Sequence, residues 1–131
     1  MQGRYLFVNP YDYAHGLARA LRESEWYRNL KEAKERLEAD PEALRMAHDI
    51  RRRTLELQLK SMGGQTVTTE EQEQLRKLQE VAMLHSVVRA YLEAESRLSV
   101  VMDDIQRILA EAIAPVVDLP GKRETETSEH R

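Results

Sequence analysis

The chain has 131 residues, 33% of them charged and only 5% aromatic, a balance that favours helices and argues against a sheet-built core. A net charge of -3 supplies no general attraction to nucleic acid or to an acidic membrane surface. With no cysteine, a disulfide, a thiolate zinc site, a cysteine-ligated iron–sulfur cluster and a thiol nucleophile are all excluded.

Residues 1–8 read as a lead-in, and its Tyr5–Val8 patch is too short for a signal-peptide core. No other run approaches the roughly 18 apolar residues of a membrane span, so the expectation is a cytoplasmic protein without membrane insertion. Asn9 can cap a first helix over 10–23, with Pro10 where its missing N–H costs nothing. Ala14, Leu17, Ala18 and Leu21 share one face of it. Ser24 begins a second helix over 25–39, whose apolar positions are Tyr27, Leu30, Ala33 and Leu37.

Asp40-Pro41-Glu42 supplies a capping side chain, a preset φ and an N-terminal acid, so a third helix is expected over 41–62, stopped by Gly63-Gly64. Within it Leu55 and Leu59 lie about 40° apart, while Leu57 is about 160–200° from both. Leucines on opposite faces imply burial on two sides, the second assigned to another subunit. Thr68-Thr69-Glu70-Glu71 reads as a capping box for a fourth helix over 69–84, apolar at Leu75, Leu78, Val81, Ala82 and Leu84. The seam slips at His85-Ser86, which predicts a break there and Ser86 as the cap of the last helix.

That last helix, over 86–114, organises the chain. Val88, Tyr91, Leu98, Met102, Ile105, Leu109 and Ala112 form one apolar line, and Val87, Ala94, Val101 and Ile108 form a second beside it. Such a wide face needs several neighbours. Pro115 ends the helix, and 115–131 reads as a disordered polar tail. The expected architecture is all-α: an elongated, self-associating bundle of about five helices over 9–114, with one long C-terminal helix. Candidate residues for the oligomer interface are Leu55, Leu57, Leu59, Tyr91, Glu95, Leu98, Met102 and Ile105.

Catalytic, cofactor and metal sites find little support. Paired Glu-x-x-His motifs of di-iron bundles are missing; the nearest pattern is a single Asp12-x-x-His15, and adjacent Asp103-Asp104 diverge by about 100°. No serine sits in a glycine elbow, and Gly63-Gly64 is followed by neither Lys nor a helix start. No cofactor and no enzymatic activity are therefore expected. Arg51-Arg52-Arg53, with Arg45 and Lys60, makes the third helix locally basic. An RNA phosphate contact is one reading; a solvated face with i,i+4 pairs is the favoured one, because few aromatics are placed to stack on bases. Glu95 interrupts the apolar line. Either it pairs with a cation across an interface and fixes register, or it lies at the wet edge of the stripe. Trp26-Tyr27 reads as a bundle anchor rather than a ligand cage.

With the helices in order, YDYAHGLARALRESEWYRNLKEAKERLEADPEA at 11–43, RRRTLELQLKSMGG at 51–64 and EEQEQLRKLQEVAMLHSVVRAYLEAESRLSVVMDDIQRILAEAIA at 70–114 resemble the YlbF/YmcA family of small bacterial helical regulators, which includes the YheA-type proteins. The resemblance implies an all-helical, self-associating cytoplasmic regulator without enzymatic activity. It also implies protein partners in a complex that works with the membrane-anchored endoribonuclease Y in mRNA processing, affecting competence, sporulation and biofilm formation. Cys-bearing members contribute to iron–sulfur complexes, a role closed to this chain. His85-Ser86 stands where members often have Asn-Pro, and the YLFV lead and charged tail fall outside the pattern. Two other functions stay open at this point: an RNA-binding bundle using the Arg51–Arg53 face, and a helical holdase or structural protein.

Overall fold

The computed structural model describes residues 9–117; the YLFV lead and the tail from residue 118 onward lie outside the described residues. Five α-helices follow one another: α1 Pro10–Arg22, α2 Glu25–Glu38, α3 Pro41–Met62, α4 Thr69–Met83 and α5 Ser86–Ile113. A 3-10 turn, Ala114–Val116, carries Pro115 just past the end of α5. No strand occurs among the described residues.

Local chemistry sets these limits. Asn9 Oδ1 accepts from the Tyr11 N–H at 2.9 Å, Ser24 Oγ from Tyr27 at 3.2 Å and Asp40 Oδ1 from Ala43 at 3.2 Å. Each cap satisfies an amide that the helix leaves free, typically worth about 1 kcal/mol. Thr68 and Glu71 form a reciprocal capping box at the start of α4. At the end of α3 the Gln65 N–H reaches the Lys60 carbonyl at 3.0 Å and the Gly64 N–H reaches Ser61 at 3.2 Å. This is the Schellman arrangement, and it requires the positive φ of +82° that Gly64 adopts.

The break before α5 falls where the slipped seam predicts it, but its cap differs. Ser86 is the first helical residue, and His85 holds the cap position, its carbonyl accepting the Arg89 N–H at 2.9 Å. His85 Nε2 stands 3.6 Å from Asp40 Oδ2, and its buried Nδ1 has no partner. A capping residue keeps non-helical φ/ψ and offers its side-chain oxygen to the amides that follow, so a serine could cap only from one position earlier.

The chain divides into two compact units, one ending at Leu98 and the other beginning at Ser99. In the first, Ala33 and Leu37 of α2, Ala43 and Ile50 of α3, Ala82 of α4, and Val88, Tyr91 and Ala94 of α5 make the core. Half of these are alanines, so the helices can approach closely; Ala43 and Val88 are wholly inaccessible. Helix α1 adds nothing to this core: residues 11–20 are all exposed and only Leu21 of its apolar face is half-buried. Trp26 and Tyr27, expected as anchors, are 45% and 40% exposed. Trp26 continues the Leu30/Ala33/Leu37 line but lies one turn beyond its covered part. The second unit, described from Ser99 to Val117, holds the C-terminal half of α5 and the 3-10 turn, and no other helix.

Candidate interaction surface

In the first unit, α3 and α5 come together around a polar triad. Tyr91 and Glu95 are one helical turn apart on α5, and Arg51 reaches both from α3. Its Nη2 donates to Tyr91 Oη at 2.8 Å and to Glu95 Oε2 at 2.9 Å. The bond to Tyr91 first, and then the charge of Glu95, hold the guanidinium protonated more firmly than usual. Burial pushes the Tyr91 phenol above its ordinary value and Glu95 pushes the same way, while Arg51 pulls it back. At neutral pH Arg51 is thus a cation and Tyr91 a neutral phenol. With the Arg51 and Glu95 side chains 59% and 44% exposed, their ion pair is screened and contributes no more than about 1 kcal/mol.

Beside the triad runs a groove of about 470 Å³, walled by Ala47, Ile50, Thr54, Leu55 and Gln58 from α3 and by Leu92 from α5. Its inner wall is apolar and its rim carries the Arg51–Glu95 pair. Leu55 and Leu59 are 53% and 58% exposed on α3, whereas Leu57 is only 9% accessible. Leu57 faces the α3–α4 loop, where it shares a recess with Val67 and Leu75. The outward pair of the leucine run is therefore Leu55 and Leu59, and the burial of Leu57 and Tyr91 is accounted for within the chain. Glu95 finds its cation in the same chain, at the wet edge of the stripe. Leu98 is half-buried at the end of the first unit; Met102 and Ile105 are half-buried in the second.

The basic residues of α3 do not form one continuous cationic strip. Arg52 pairs with Asp49 at 3.5 Å, and Arg53 with Glu56 at 3.3 Å and Gln74 at 2.6 Å. Lys60 donates to Glu71 at 2.5 Å, which draws that carboxylate below its usual range, helped by the Thr68 backbone. Arg45 alone of the five has no ion-pair partner among the described residues. Consecutive arginines step by about 100° around a helix, so each meets a different neighbour. Among the described residues no three His, Asp or Glu side chains gather as a metal-ligand set, and no helix is long and apolar enough to cross a membrane.

What sequence reasoning missed is the tie from Arg51 to Tyr91 and Glu95, 40 and 44 residues away. No local spacing signals a pair so distant. It also missed the exposure of α1 over residues 11–20, whose amphipathic pattern is the same whether or not a partner covers it.

Residues 11–114 match the family described as control of competence regulator ComK, YlbF/YmcA. A UPF0342 protein of Symbiobacterium thermophilum is 40% identical over 110 residues, covering 84% of this chain and 96% of its own length. Another, from Alkalihalophilus pseudofirmus, is 38% identical over 112 residues, covering 86% and 95%. A protein of unknown function (DUF964) from Bacillus stearothermophilus has a solved structure that superposes with a TM-score of 0.72 at 28% identity, covering 79% of this chain and 91% of that one. The order of helices, the Asp40-Pro41 and Gly63-Gly64 punctuation and the matched span lead to one conclusion: the chain belongs to the YlbF/YmcA family.

Proposed function

We propose that this chain is a non-enzymatic cytoplasmic adaptor that regulates larger machinery by presenting helix surfaces to other proteins, including copies of itself. The observation that carries this reading is the uncovered α3–α5 groove, apolar within and charged at its rim, with Leu55 and Leu59 left exposed beside it. Such a surface suits an amphipathic helix, whose apolar side chains fill the groove while its polar edge meets the Arg51–Glu95 pair. The regulatory description of the family supports the same direction. The setting we assign is the ribonuclease Y-dependent processing of mRNA, with developmental regulation as its outcome. An RNA-binding role has weaker support, because Arg51, Arg52, Arg53 and Lys60 all have acidic partners in the chain.

The test is affinity capture from native cytoplasm, with and without ribonuclease treatment, using wild type, Leu55→Glu with Leu59→Glu, and an Arg51–Arg53 neutralised variant. The adaptor reading expects a defined protein partner that survives ribonuclease and is lost with the leucine changes. Capture that vanishes with ribonuclease and with the arginine changes would replace it by RNA binding.

A further inference from the structure

Two apolar helix faces in this chain are left largely exposed, and their charges are opposite. On α1 the positions Tyr11, Ala14, Leu17, Ala18 and Leu21 fall within about a third of the helix circumference. Tyr11 is 75% exposed and Leu17 36%. On the C-terminal half of α5, Val101, Met102, Ile105, Ile108, Leu109 and Ala112 fall within about 120°. Ile108 and Leu109 are 62% and 57% exposed while Val101, Met102 and Ile105 are half-buried, and the described residues of the second unit include no other helix. Helix α1 carries Arg19 and Arg22 against Asp12, so it is net basic. The α5 half carries Asp103, Asp104 and Glu111 against Arg107, so it is net acidic.

The borders of the two faces match as well. His15 and Arg22 lie seven residues apart along one border of the α1 face, and Asp104 and Glu111 lie seven apart along one border of the α5 face. Both intervals span about 10.5 Å. These borders meet only when the helices run parallel, as flanking charges do in a parallel coiled coil. Arg22 then opposes Glu111 and His15 opposes Asp104. Within the chain Arg22 and Glu111 are exposed and neither has an ion-pair partner among the described residues.

We propose that α1 of one copy docks in parallel on the Val101–Ala112 face of α5 in a second copy, and that the exchange is reciprocal. This rests on the self-association in the proposed function and names the surfaces that make it. Pairing α5 with α5 would instead bring two acidic segments together, and pairing α1 with α1 two basic ones. With about 150–250 Å² for an aromatic side chain such as Tyr11 and less for each Leu or Ile, the exposed parts of the two faces supply several hundred Å² per copy, below but on the scale of the roughly 800 Å² that each partner buries in a stable interface.

Sedimentation of the full chain tests the pairing through two matched variants. Arg22→Glu alone and Glu111→Arg alone should each weaken association about tenfold, while their equimolar mixture should assemble heteromers as tightly as wild type. Independently, Ala18→Asp and Leu109→Asp should each abolish the dimer and, when mixed, recover association through the single contact left intact. Circular dichroism confirms that each variant stays helical. A wild-type dimer with no weakening in the variants, or with no recovery on mixing, overturns the exchange but leaves self-association standing. A wild-type monomer at tens of micromolar overturns both, and protection of α1 within a monomer shows it covered by its own chain instead.

Discussion

Alanine substitutions along the leucine run of α3 separate the inward from the outward face. Replacing Leu57 removes three carbons from a side chain that is 9% accessible, so nearly all of their burial is lost. At about 0.8 kcal/mol per carbon, with a cavity contribution added, Leu57→Ala should cost about 2.5–4 kcal/mol. Leu59 is 58% exposed and gives up less than half as much contact, so Leu59→Ala should cost about 1 kcal/mol at most. For a domain of this size the first change lowers Tm by roughly 10–25 °C and the second by a few degrees. Urea unfolding followed by helical circular dichroism, at a low and a high protein concentration, reads both the intrinsic cost and any contribution from association. A Leu57→Ala protein as stable as wild type at the low concentration would refute the assignment of faces. So would a Leu59→Ala protein as damaged there as Leu57→Ala.

Three further outcomes are expected. The Glu71 carboxylate is held below its ordinary range, first by donation from Lys60, so the unfolded chain takes up this proton more readily than the folded one. The resulting stability is complete above about pH 4.3 and is lost as pH falls through the lower folded value; urea midpoints of Glu71→Gln should therefore depend less on acid pH than those of wild type, and an identical slope would count against the pair. His85 occupies the cap position of α5 without an oxygen to offer, and its Nδ1 is buried without a partner, so His85→Asn should raise stability by about 0.5–1 kcal/mol in the same assay. Tyr91→Phe removes the acceptor for Arg51 while keeping the ring in the core; it should cost about 1 kcal/mol, and a cost near zero would show that the bond is of no consequence.

Helix limits were legible because the residues that set them are neighbours in sequence. Asn9-Pro10, Asp40-Pro41, Gly63-Gly64 and the Thr68/Glu71 box each act within five residues, and the helices lie within one residue of their expected ends. The two faces of the Leu55–Leu59 run were legible as opposite, but which one turns inward depends on Leu75 and Val67, supplied by a later segment. Glu95 shows the same limit. Its place on the stripe could be read from periodicity, but its partner Arg51 is fixed only by how α3 crosses α5. The α1 pattern was read correctly as amphipathic; periodicity reports that a face wants cover, and the cover itself belongs to the tertiary level.

The closure between α3 and α4 bears on how the chain folds. Gly64 turns the backbone, Gln65 bonds to Lys60, and Lys60 reaches Glu71 only 11 residues along. A loop so short loses little entropy on closing, whereas the Arg51–Tyr91 contact must wait for a segment of 40 residues to be gathered. The α3–α4 hairpin is therefore the natural nucleus, and helix-rich chains with local contacts of this kind fold fast. Weakening Lys60–Glu71 should slow refolding, while weakening Arg51–Tyr91 should leave refolding alone and hasten unfolding. The interaction groove between α3 and α5 would then form after the α3–α4 hairpin and open before it.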